Sequence, residues 1–336
     1  MGSITDVPGL LVGQAQDEEG MTGCTVVLTT DGAVAGVDVR GSAPGTRETD
    51  LLDPSNLVQK IHAVMLAGGS AFGLAAATGV MTFLQERGHG FETTHGLIPI
   101  VPAAVIYDLG VGYPDRYPDA LMGYLACSVA GKEVMEGNFG AGAGASIGKI
   151  FGPNCAMKSG VGTSSAILKF AIPNDSRTYT YTVGTIVITN SFGDIYKGDQ
   201  ILGGACEHPD GDLLDTIRLL REGVRPKHPQ TQLPLVSNTT LACVATDAPL
   251  TKAAARKLAQ MAQDGLSRAI RPAHTMFDGD TVFALSTGGL PPTPNVDPLL
   301  LTALGGLAAD LLVQAIHRSV MEARPAGGLP CSQRML

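Results

Sequence analysis

The sequence contains no tryptophan, few other aromatic residues and few charges. Aromatic residues make up 5% of the 336 positions and charged residues 16%, whereas hydrophobic residues reach 44% and glycine occurs 43 times. Disordered chains show the opposite balance, with many charges and little apolar material. The composition therefore indicates a compact globular protein, with enough apolar residues for a deep core in one large domain or two ordinary ones.

Long clusters of Lys and Arg are also missing, and the formal net charge is −8. This balance argues against a nucleic-acid partner, which would need a basic surface. The first twenty residues lack the basic and apolar segments of a secretory signal, so we expect a cytoplasmic protein. The uncharged stretch 63–84 could span a bilayer by length. Small and polar residues dilute its hydrophobicity, so we expect a buried pair of helices and no membrane partner.

No two of the six cysteines form a C-x-x-C pair, the spacing common in zinc sites and redox motifs. Most of them lie in apolar or glycine-rich surroundings. We therefore expect reduced thiols and no metal or disulfide at these positions, which are Cys24, Cys127, Cys155, Cys206, Cys243 and Cys331.

Hairpin-like and helical patterns occur in blocks along the chain, which favours a layered α+β fold over a regular β-α-β alternation. Four β-type patterns stand out: a hairpin over 24–39 around Asp31-Gly32, a β pair over 181–198, and buried strands over 239–248 and 281–287. Further β structure is expected over 97–110, and loops over 137–164 and 203–234.

Helix start signals occur at two Asp-Pro pairs, since Asp caps a helix and Pro fits its first position. Asp53-Pro54 predicts a helix that reaches about Leu66, and Asp297-Pro298 predicts the last helix of the chain. Two other helices are expected, one from near Ser70 to before Gly88 and one with Leu258, Ala262, Leu266 and Ile270 as its apolar stripe.

The glycine-rich segment GAGAGASIGK, residues 140–149, resembles a phosphate loop only superficially. A Walker loop needs glycine where Ala143 stands, and Ser or Thr where Ile150 follows the lysine. The supporting β-α-β frame of a dinucleotide site is missing as well. Two interpretations of Lys149 remain, a surface cation on a loop or a partly desolvated lysine with a chemical role.

The segment HTMFDGD, residues 274–280, places two carboxylates on either side of a glycine. One interpretation is a divalent-metal site with His274 as the third ligand beside Asp278 and Asp280. A second is an acidic pair that orients a hydroxyl or ammonium group in a pocket. A plain acidic turn before the strand is the third.

An Asn-Thr-Thr triplet, residues 238–240, stands directly before the apolar run that predicts a strand. The triplet fits an ordinary turn, and it also fits a chain that cuts itself between Asn238 and Thr239. A threonine hydroxyl needs a base to act as a nucleophile. After such a cut, the α-amine of Thr239 could serve, because an α-amine titrates at about pH 7.7–8.0.

Taken in order, six motifs resemble the P1-type peptidase family, which includes L-aminopeptidase/D-alanine esterases, β-aminopeptidases and the nylon-oligomer hydrolase. The resemblance extends over nearly the whole chain, from about residue 7 to residue 322, and is weakest over 150–180 and 200–234. The six motifs are LAGGSAFGL (66–74), AAVIYD (103–108), GAGAGASIGK (140–149), VITN (187–190), SNTTLACVATDA (237–248) and HTMFDGD (274–280).

This resemblance implies an αββα four-layer sandwich like that of N-terminal-nucleophile hydrolases, with different connectivity. It implies a single hydrolase domain that cuts itself into chains 1–238 and 239–336, needs no metal or cofactor, and assembles as four or eight heterodimers. By position, Thr239 resembles the nucleophile, Lys149 the active-site lysine and Asn190 the amide that holds the oxyanion or the nucleophile. Asp278 and Asp280 resemble the acidic pair, and Tyr107 the pocket tyrosine.

One departure bears on the substrate. The aminopeptidase branch usually cuts before a serine and pairs a serine with a glutamate downstream. Here the bond is Asn238-Thr239 and the pair is Asp278 and Asp280, which is closer to the nylon-oligomer hydrolase branch. The resemblance thus implies an amidohydrolase acting on ω-amino-acid oligomers or short peptides. One alternative is an aminopeptidase on L- or β-amino-acid peptides, amides or esters. The other, from another class, is a non-catalytic or metal-dependent binding protein that uses His274, Asp278 and Asp280.

Overall fold

A computed structural model describes residues 2–171, 178–207, 211–224, 238–288 and 296–332. The strands are β1 (Leu11–Asp17), β2 (Thr22–Val39), β3 (Thr46–Arg47), β4 (Lys60–Ala67), β5 (Phe91–Thr93), β6 (Gly96–Ile98), β7 (Ala103–Val105), β8 (Ser146–Ile147), β9 (Met157–Lys158), β10 (Val161–Ala171), β11 (Thr178–Asn190), β12 (Asp194–Lys197), β13 (Gln200–Gly203), β14 (Thr239–Thr246), β15 (Ile270–Arg271) and β16 (Thr281–Ser286). The α-helices are α1 (Ala76–Glu86), α2 (Ala120–Ser128), α3 (Thr216–Arg221), α4 (Lys252–Ala269) and α5 (Pro298–Met321).

Nine strands form one mixed sheet in the order β10-β11-β14-β16-β2-β4-β7-β3, with β1 paired to β2. The pairs β14–β16 and β4–β7 are parallel. The other pairs are antiparallel. Because β11 runs against β14 and β16, the end of β11 meets the beginnings of β14 and β16 at one edge of the sheet.

Three buried apolar clusters separate four layers of structure. On β14, Ala242 and Val244 face α4 and α5, whereas the alternating residues Leu241 and Cys243 face apolar side chains of β2 and β4. The opposite face of β2 and β4 packs against α1 and α2. Alternation along a strand sends successive side chains to opposite faces. The nine-stranded sheet therefore folds over on itself, and its two facing halves are the inner layers of a helix, sheet, sheet, helix order. The predicted α+β class is confirmed.

The predicted hairpin over 24–39 is wrong, because these residues form the single 18-residue strand β2. Both halves pair with β4 in the same direction, with a bulge between Leu28 and Ala33. The Asp31-Gly32 signal marks this bulge, where Gly32 has φ of +75°. The predicted β pair over 181–198 is also wrong in its pairing, since β11 lies between β10 and β14 while β12 pairs with β13 and β15.

The predicted helix from Asp53 to Leu66 is wrong. The Asp53 carboxylate accepts the N–H and the hydroxyl of Ser55 in a local turn, and the chain then enters the buried strand β4. The buried helix pair expected over 63–84 is wrong for the same reason. Its first residues belong to β4, a glycine turn follows, and the rest forms a 3-10 turn (Ser70–Ala75) and α1.

The other three helix predictions are confirmed. The helix expected from near Ser70 to before Gly88 forms as the 3-10 turn followed by α1. Asp297 caps α5 by accepting the N–H of Leu299 at 2.8 Å. Helix α4 carries and buries Leu258, Ala262 and Leu266 of the predicted stripe, whereas Ile270 is also buried but begins β15. The strands predicted over 239–248 and 281–287 are β14 and β16. Only β6 and β7 form within 97–110, and residues 137–164 include β8 and β9. The loop expected over 203–234 is interrupted by α3, and residues 208–210 and 225–234 lie outside the described residues.

Among the described helices, α5 is long and apolar enough to cross a membrane by length and composition. Half of its most apolar window is buried within the fold, where Leu304, Leu311 and Leu312 join the cluster beneath the sheet. Core helices meet the same criteria, so these properties alone assign α5 no membrane role. All six cysteines are free thiols, as expected.

Candidate active site

The residues singled out by the sequence gather at one edge of the sheet. Thr239 is the first residue of β14, and its register partner across the antiparallel ladder is Asn190, the last residue of β11. Asp278 and Asp280 lie on the loop that enters β16, and Lys149 follows β8 and contacts Asn190. All five are at most 5% exposed, so the surface-cation interpretation of Lys149 is wrong.

The side chain of Thr239 is positioned against the preceding peptide bond. Its hydroxyl donates a very short hydrogen bond to the carbonyl oxygen of Asn238. The same oxygen accepts the backbone N–H of Gly279 at 3.0 Å. An isolated parallel bridge between Asn238 and Asp278 holds the two segments side by side. The threonine oxygen therefore lies next to the carbonyl that a self-cleaving chain would have to attack.

Asp278 is held by hydrogen bonds on both carboxylate oxygens. Oδ1 accepts the N–H of Phe192 at 3.2 Å, and Oδ2 accepts the N–H and the hydroxyl of Thr275 at 2.9 and 2.5 Å. Burial, followed by the nearby charge of Asp280, raises the pKa of Asp278 above its usual range. The side chain is thus fixed in direction while its charge is disfavoured.

Asp280 connects the loop to β14 and to His274. Its Oδ1 accepts the N–H of Thr240 at 2.7 Å, and its Oδ2 accepts the N–H of His274 at 3.1 Å and lies 2.8 Å from Nδ1 of the same residue. His274 is therefore oriented by Asp280, while Asp278 is bonded elsewhere. Within the described ranges, no group of three or more His, Cys, Asp or Glu side chains is placed to hold a metal ion.

Lys149 and Asn190 form the opposite side of the site. Lys149 Nζ donates to Oδ1 of Asn190 at 2.6 Å and to its backbone oxygen at 3.2 Å. Oδ1 of Asn190 also accepts the N–H of Ser146, and its Nδ2 donates to the carbonyl of Tyr107. Burial lowers the pKa of Lys149 to about 7, although Asp278 and Asp108 oppose the shift. An amine with this pKa is partly neutral at physiological pH and can accept a proton.

The predicted pocket residue Tyr107 is 39% exposed and stands at the mouth of a small pocket that reaches Lys149. The pocket walls combine apolar and glycine surfaces with two buried charges; they are Tyr107, Asp108, Gly110, Val111, Ser146, Lys149 and Pro153. Tyr107 and Lys149 thus line the same small pocket.

Sequence reasoning missed a second buried lysine beneath the site. Lys158 is fully buried and donates to the carbonyls of Gly142, Ala145 and Ser159 at 2.7–3.0 Å, so it anchors the glycine-rich loop that carries Lys149. Burial lowers its pKa to about 7, against the charge of Asp108. Nothing in the sequence around Lys158 pointed to this role, because its three partners are backbone oxygens.

Comparison with known proteins identifies the family. The model of peptidase family S58 matches residues 2–332. The chain belongs to peptidase family S58. It is therefore a hydrolase that acts on peptide or amide bonds, as the sequence motifs implied.

Two relatives of this chain carry different names. An uncharacterized aminopeptidase of Mycobacterium tuberculosis is 42% identical over 359 residues, which cover 100% of this chain and 98% of the relative. A 6-aminohexanoate-oligomer endohydrolase of Kocuria sp. is 33% identical over 328 residues, which cover 93% of this chain and 84% of the relative. Both branches named from the motifs thus occur among the relatives of this S58 chain.

Solved structures confirm the fold. A β-aminopeptidase from Burkholderia sp. has a TM-score of 0.71 at 21% identity, covering 99% of this chain and 92% of that one. The L-aminopeptidase D-Ala-esterase/amidase from Ochrobactrum anthropi, a variant of the Ntn-hydrolase fold, has a TM-score of 0.69 at 21% identity, with coverages of 96% and 86%. At these identities the likeness concerns the fold alone.

We predict that two lysines of this chain titrate near neutral pH. Lys149 and Lys158 should each show a pKa of about 7, and an Asp108→Asn variant should lower both values because it removes a charge that favours the ammonium form. Between about pH 7 and the usual lysine pKa, the unfolded chain binds more protons than the folded one. The free energy of unfolding should therefore rise with pH across that interval.

NMR titration of lysines labelled at the ε-carbon measures both values, with Lys149→Met and Lys158→Met as assignment variants. Asp199→Asn changes a fully exposed carboxylate and is the matched control, which should leave both titrations in place. If the signals assigned to Lys149 and Lys158 titrate near pH 10.5, the argument that burial lowers their pKa values is contradicted.

Proposed function

We propose that this S58 hydrolase is a self-processing enzyme whose nucleophile is Thr239. The observation that supports the proposal is the geometry at the Asn238–Thr239 bond. The threonine hydroxyl contacts the Asn238 carbonyl oxygen, and a backbone N–H donates to that same oxygen from the other segment. A strand begins at Thr239, so the sheet holds the residue that carries the hydroxyl.

In the first step, the hydroxyl oxygen of Thr239 bonds to the carbonyl carbon of Asn238. The carbon–nitrogen bond breaks, the nitrogen takes up a proton and becomes the α-amine, and an ester joins the two fragments. Water then hydrolyses the ester to the carboxylate of Asn238 and the free hydroxyl. Before the cut, residue 239 has no α-amine, so we assign the first proton transfer to neutral Lys149, which contacts the ladder partner of Thr239.

In the cleaved enzyme, the α-amine of Thr239 replaces Lys149 as the base for substrates. We propose that Asp278 and Asp280 orient this amine, since Asp280 already binds the N–H of the next residue, Thr240. Asn190 fixes Lys149 and supplies an amide donor toward the developing oxyanion. Water resolves the acyl-enzyme and restores the threonine.

We predict that the purified chain runs as two fragments, residues 1–238 and 239–336, on a denaturing gel. N-terminal sequencing of the smaller fragment should give Thr-Thr-Leu-Ala-Cys. A Thr239→Ala variant should remain one uncut chain, because no other hydroxyl takes the place of Oγ1. Thr239→Ser keeps the hydroxyl and is the matched control, which should still cleave. An intact wild-type chain that hydrolyses amides at full rate would refute self-processing.

For the substrate, we propose amides of ω-amino-acid oligomers or short peptides, cut within the chain. The threonine nucleophile and the Asp-Gly-Asp loop support this choice, together with 33% identity to a 6-aminohexanoate-oligomer endohydrolase. An aminopeptidase function is the second candidate, which the 42% identity to a protein named as an aminopeptidase favours.

A pair of 6-aminohexanoate trimers, one with a free and one with an acetylated amino terminus, separates the two candidates. An endo-acting enzyme should hydrolyse both trimers at similar rates, within a factor of a few, and should act poorly on L-amino-acid p-nitroanilides. Strict dependence on a free amino terminus, with fast release of p-nitroaniline, would favour the aminopeptidase instead.

We also propose a cytoplasmic oligomer of four or eight cleaved heterodimers. Support comes from the outer side of α2, where Leu121, Leu125 and Val129 are 65%, 48% and 66% exposed. Leu121 and Leu125 lie one helical turn apart, and Val129 follows at the same spacing, so the three residues form an apolar stripe. Such a stripe on a helix surface is typical of an interface between subunits.

A further inference from the structure

The backbone N–H of Gly279 points at the oxygen on which negative charge must develop. When a nucleophile adds to the Asn238 carbonyl carbon, the electrons of the double bond move to the carbonyl oxygen. In the structure this oxygen, still that of a planar carbonyl, accepts the Gly279 N–H at 3.0 Å. The donor is therefore already directed at the place where the oxyanion forms, and a donor within about 2.7–3.1 Å of that place stabilises it.

We propose that the Gly279 N–H is an oxyanion donor used twice, first for the Asn238 carbonyl in self-cleavage and then for the substrate carbonyl. The inference rests on the proposed role of Thr239. It assigns to the glycine of the Asp-Gly-Asp segment a catalytic contact, where the sequence indicated only a spacer between two carboxylates.

The donor is held rigidly by its two neighbours. Both carboxylates are bonded to backbone N–H groups of other segments, Asp278 to Phe192 and Asp280 to Thr240. The backbone is fixed as well, since the carbonyl of Asp278 accepts the N–H of Ala43 at 2.9 Å and that of Asp280 accepts N–H groups of residues 40 and 41. A donor that needs no reorganisation stabilises a developing charge most effectively.

Glycine is required here because the nucleophile lies against its Cα. A Cβ at position 279 would stand 2.8 Å from Oγ1 of Thr239 and 2.6 Å from the carbonyl oxygen of Ala43. Both distances are below the limit that real Cβ atoms show, and one of the atoms is backbone. The missing side chain therefore lets the hydroxyl and the N–H approach the same carbonyl from opposite segments.

The same N–H serves later substrates by geometry. The Asp280–Thr240 hydrogen bond and the β11 ladder hold the start of β14 independently of the bond to Asn238. A substrate acyl carbon bonds to the same Oγ1, and a substrate bound with its carbonyl oxygen toward Gly279 places that oxygen where the Asn238 oxygen lay. The donor moves no proton in either reaction; it stabilises the oxygen while the carbon–oxygen bond to Thr239 forms and the carbon–nitrogen bond breaks.

The test replaces Gly279 by glycolic acid in the full-length chain through translation with a hydroxyacyl-tRNA. This change exchanges the N–H for an ester oxygen and adds no side chain. We expect the rate of self-cleavage to fall ~10²–10³-fold, the effect of removing one oxyanion donor. After the slow cut is complete, kcat on an amide substrate should fall by a similar factor, while KM changes little.

The matched control places lactic acid at Ala43. The ester between residues 278 and 279 has a side effect, because it also weakens the Asp278 carbonyl as an acceptor of the Ala43 N–H. The control abolishes this same hydrogen bond by removing the Ala43 N–H, and it leaves the Gly279 N–H in place. The control should cleave within a few-fold of wild type. Equal losses in both variants, or wild-type cleavage in the Gly279 variant, would overturn the proposal. Slow self-cleavage with an unchanged kcat would overturn the proposed second use of the Gly279 N–H, on the substrate carbonyl. A wild-type chain that never cuts would instead refute the function of Thr239.

Discussion

The hydrogen bond between the Asp280 carboxylate and the N–H of Thr240 fixes the geometry on which the site depends. It joins the loop before β16 to the second residue of β14. Because β14 and β16 are parallel neighbours, both strands begin at the same edge of the sheet. With that bond in place, the N–H of Gly279 faces the Asn238 carbonyl, and the hydroxyl of Thr239 lies against Gly279. The antiparallel partner β11 ends at the same edge and supplies Asn190. The nucleophile, the acidic loop and the amide thus come from three adjacent strands.

Beneath this edge the protein buries charges that an ordinary core would avoid. Lys149, Lys158, Asp108 and Asp278 are all nearly inaccessible to water, and burial drives their pKa values toward neutrality. Removing an isolated charge from water costs far more free energy than an exposed ion pair contributes. Buried charged groups therefore persist where backbone and side-chain partners form hydrogen bonds to them. The cost is offset by bonds such as those of Lys158 to three carbonyls. Perturbed carboxylates and amines in one place are typical of catalytic sites.

The sequence predicted the fold class, α5 with its Asp297 cap and the strands β14 and β16, because apolar runs and caps are local signals. It failed where tertiary pairing decided the outcome. The bulged strand β2 looked like a hairpin, and the run before Ala67 looked like a helix although sheet neighbours on both sides make it a strand. At the site, the order of the motifs predicted Thr239, Lys149 and the acidic pair as functional residues. Gly279 and Lys158 stayed hidden, since their partners are backbone atoms that no side-chain pattern encodes.

The most direct measurement of the central claim is the site of acylation during turnover. The cleaved enzyme is mixed with a p-nitrophenyl ester of 6-aminohexanoate, whose good leaving group speeds acylation, and is quenched in acid within milliseconds. Mass spectrometry of the fragment 239–336 should then show one added acyl group, located on Thr239 at its amino terminus. An acyl group on another residue, or turnover at the wild-type rate by a Thr239→Ala chain, would contradict the account.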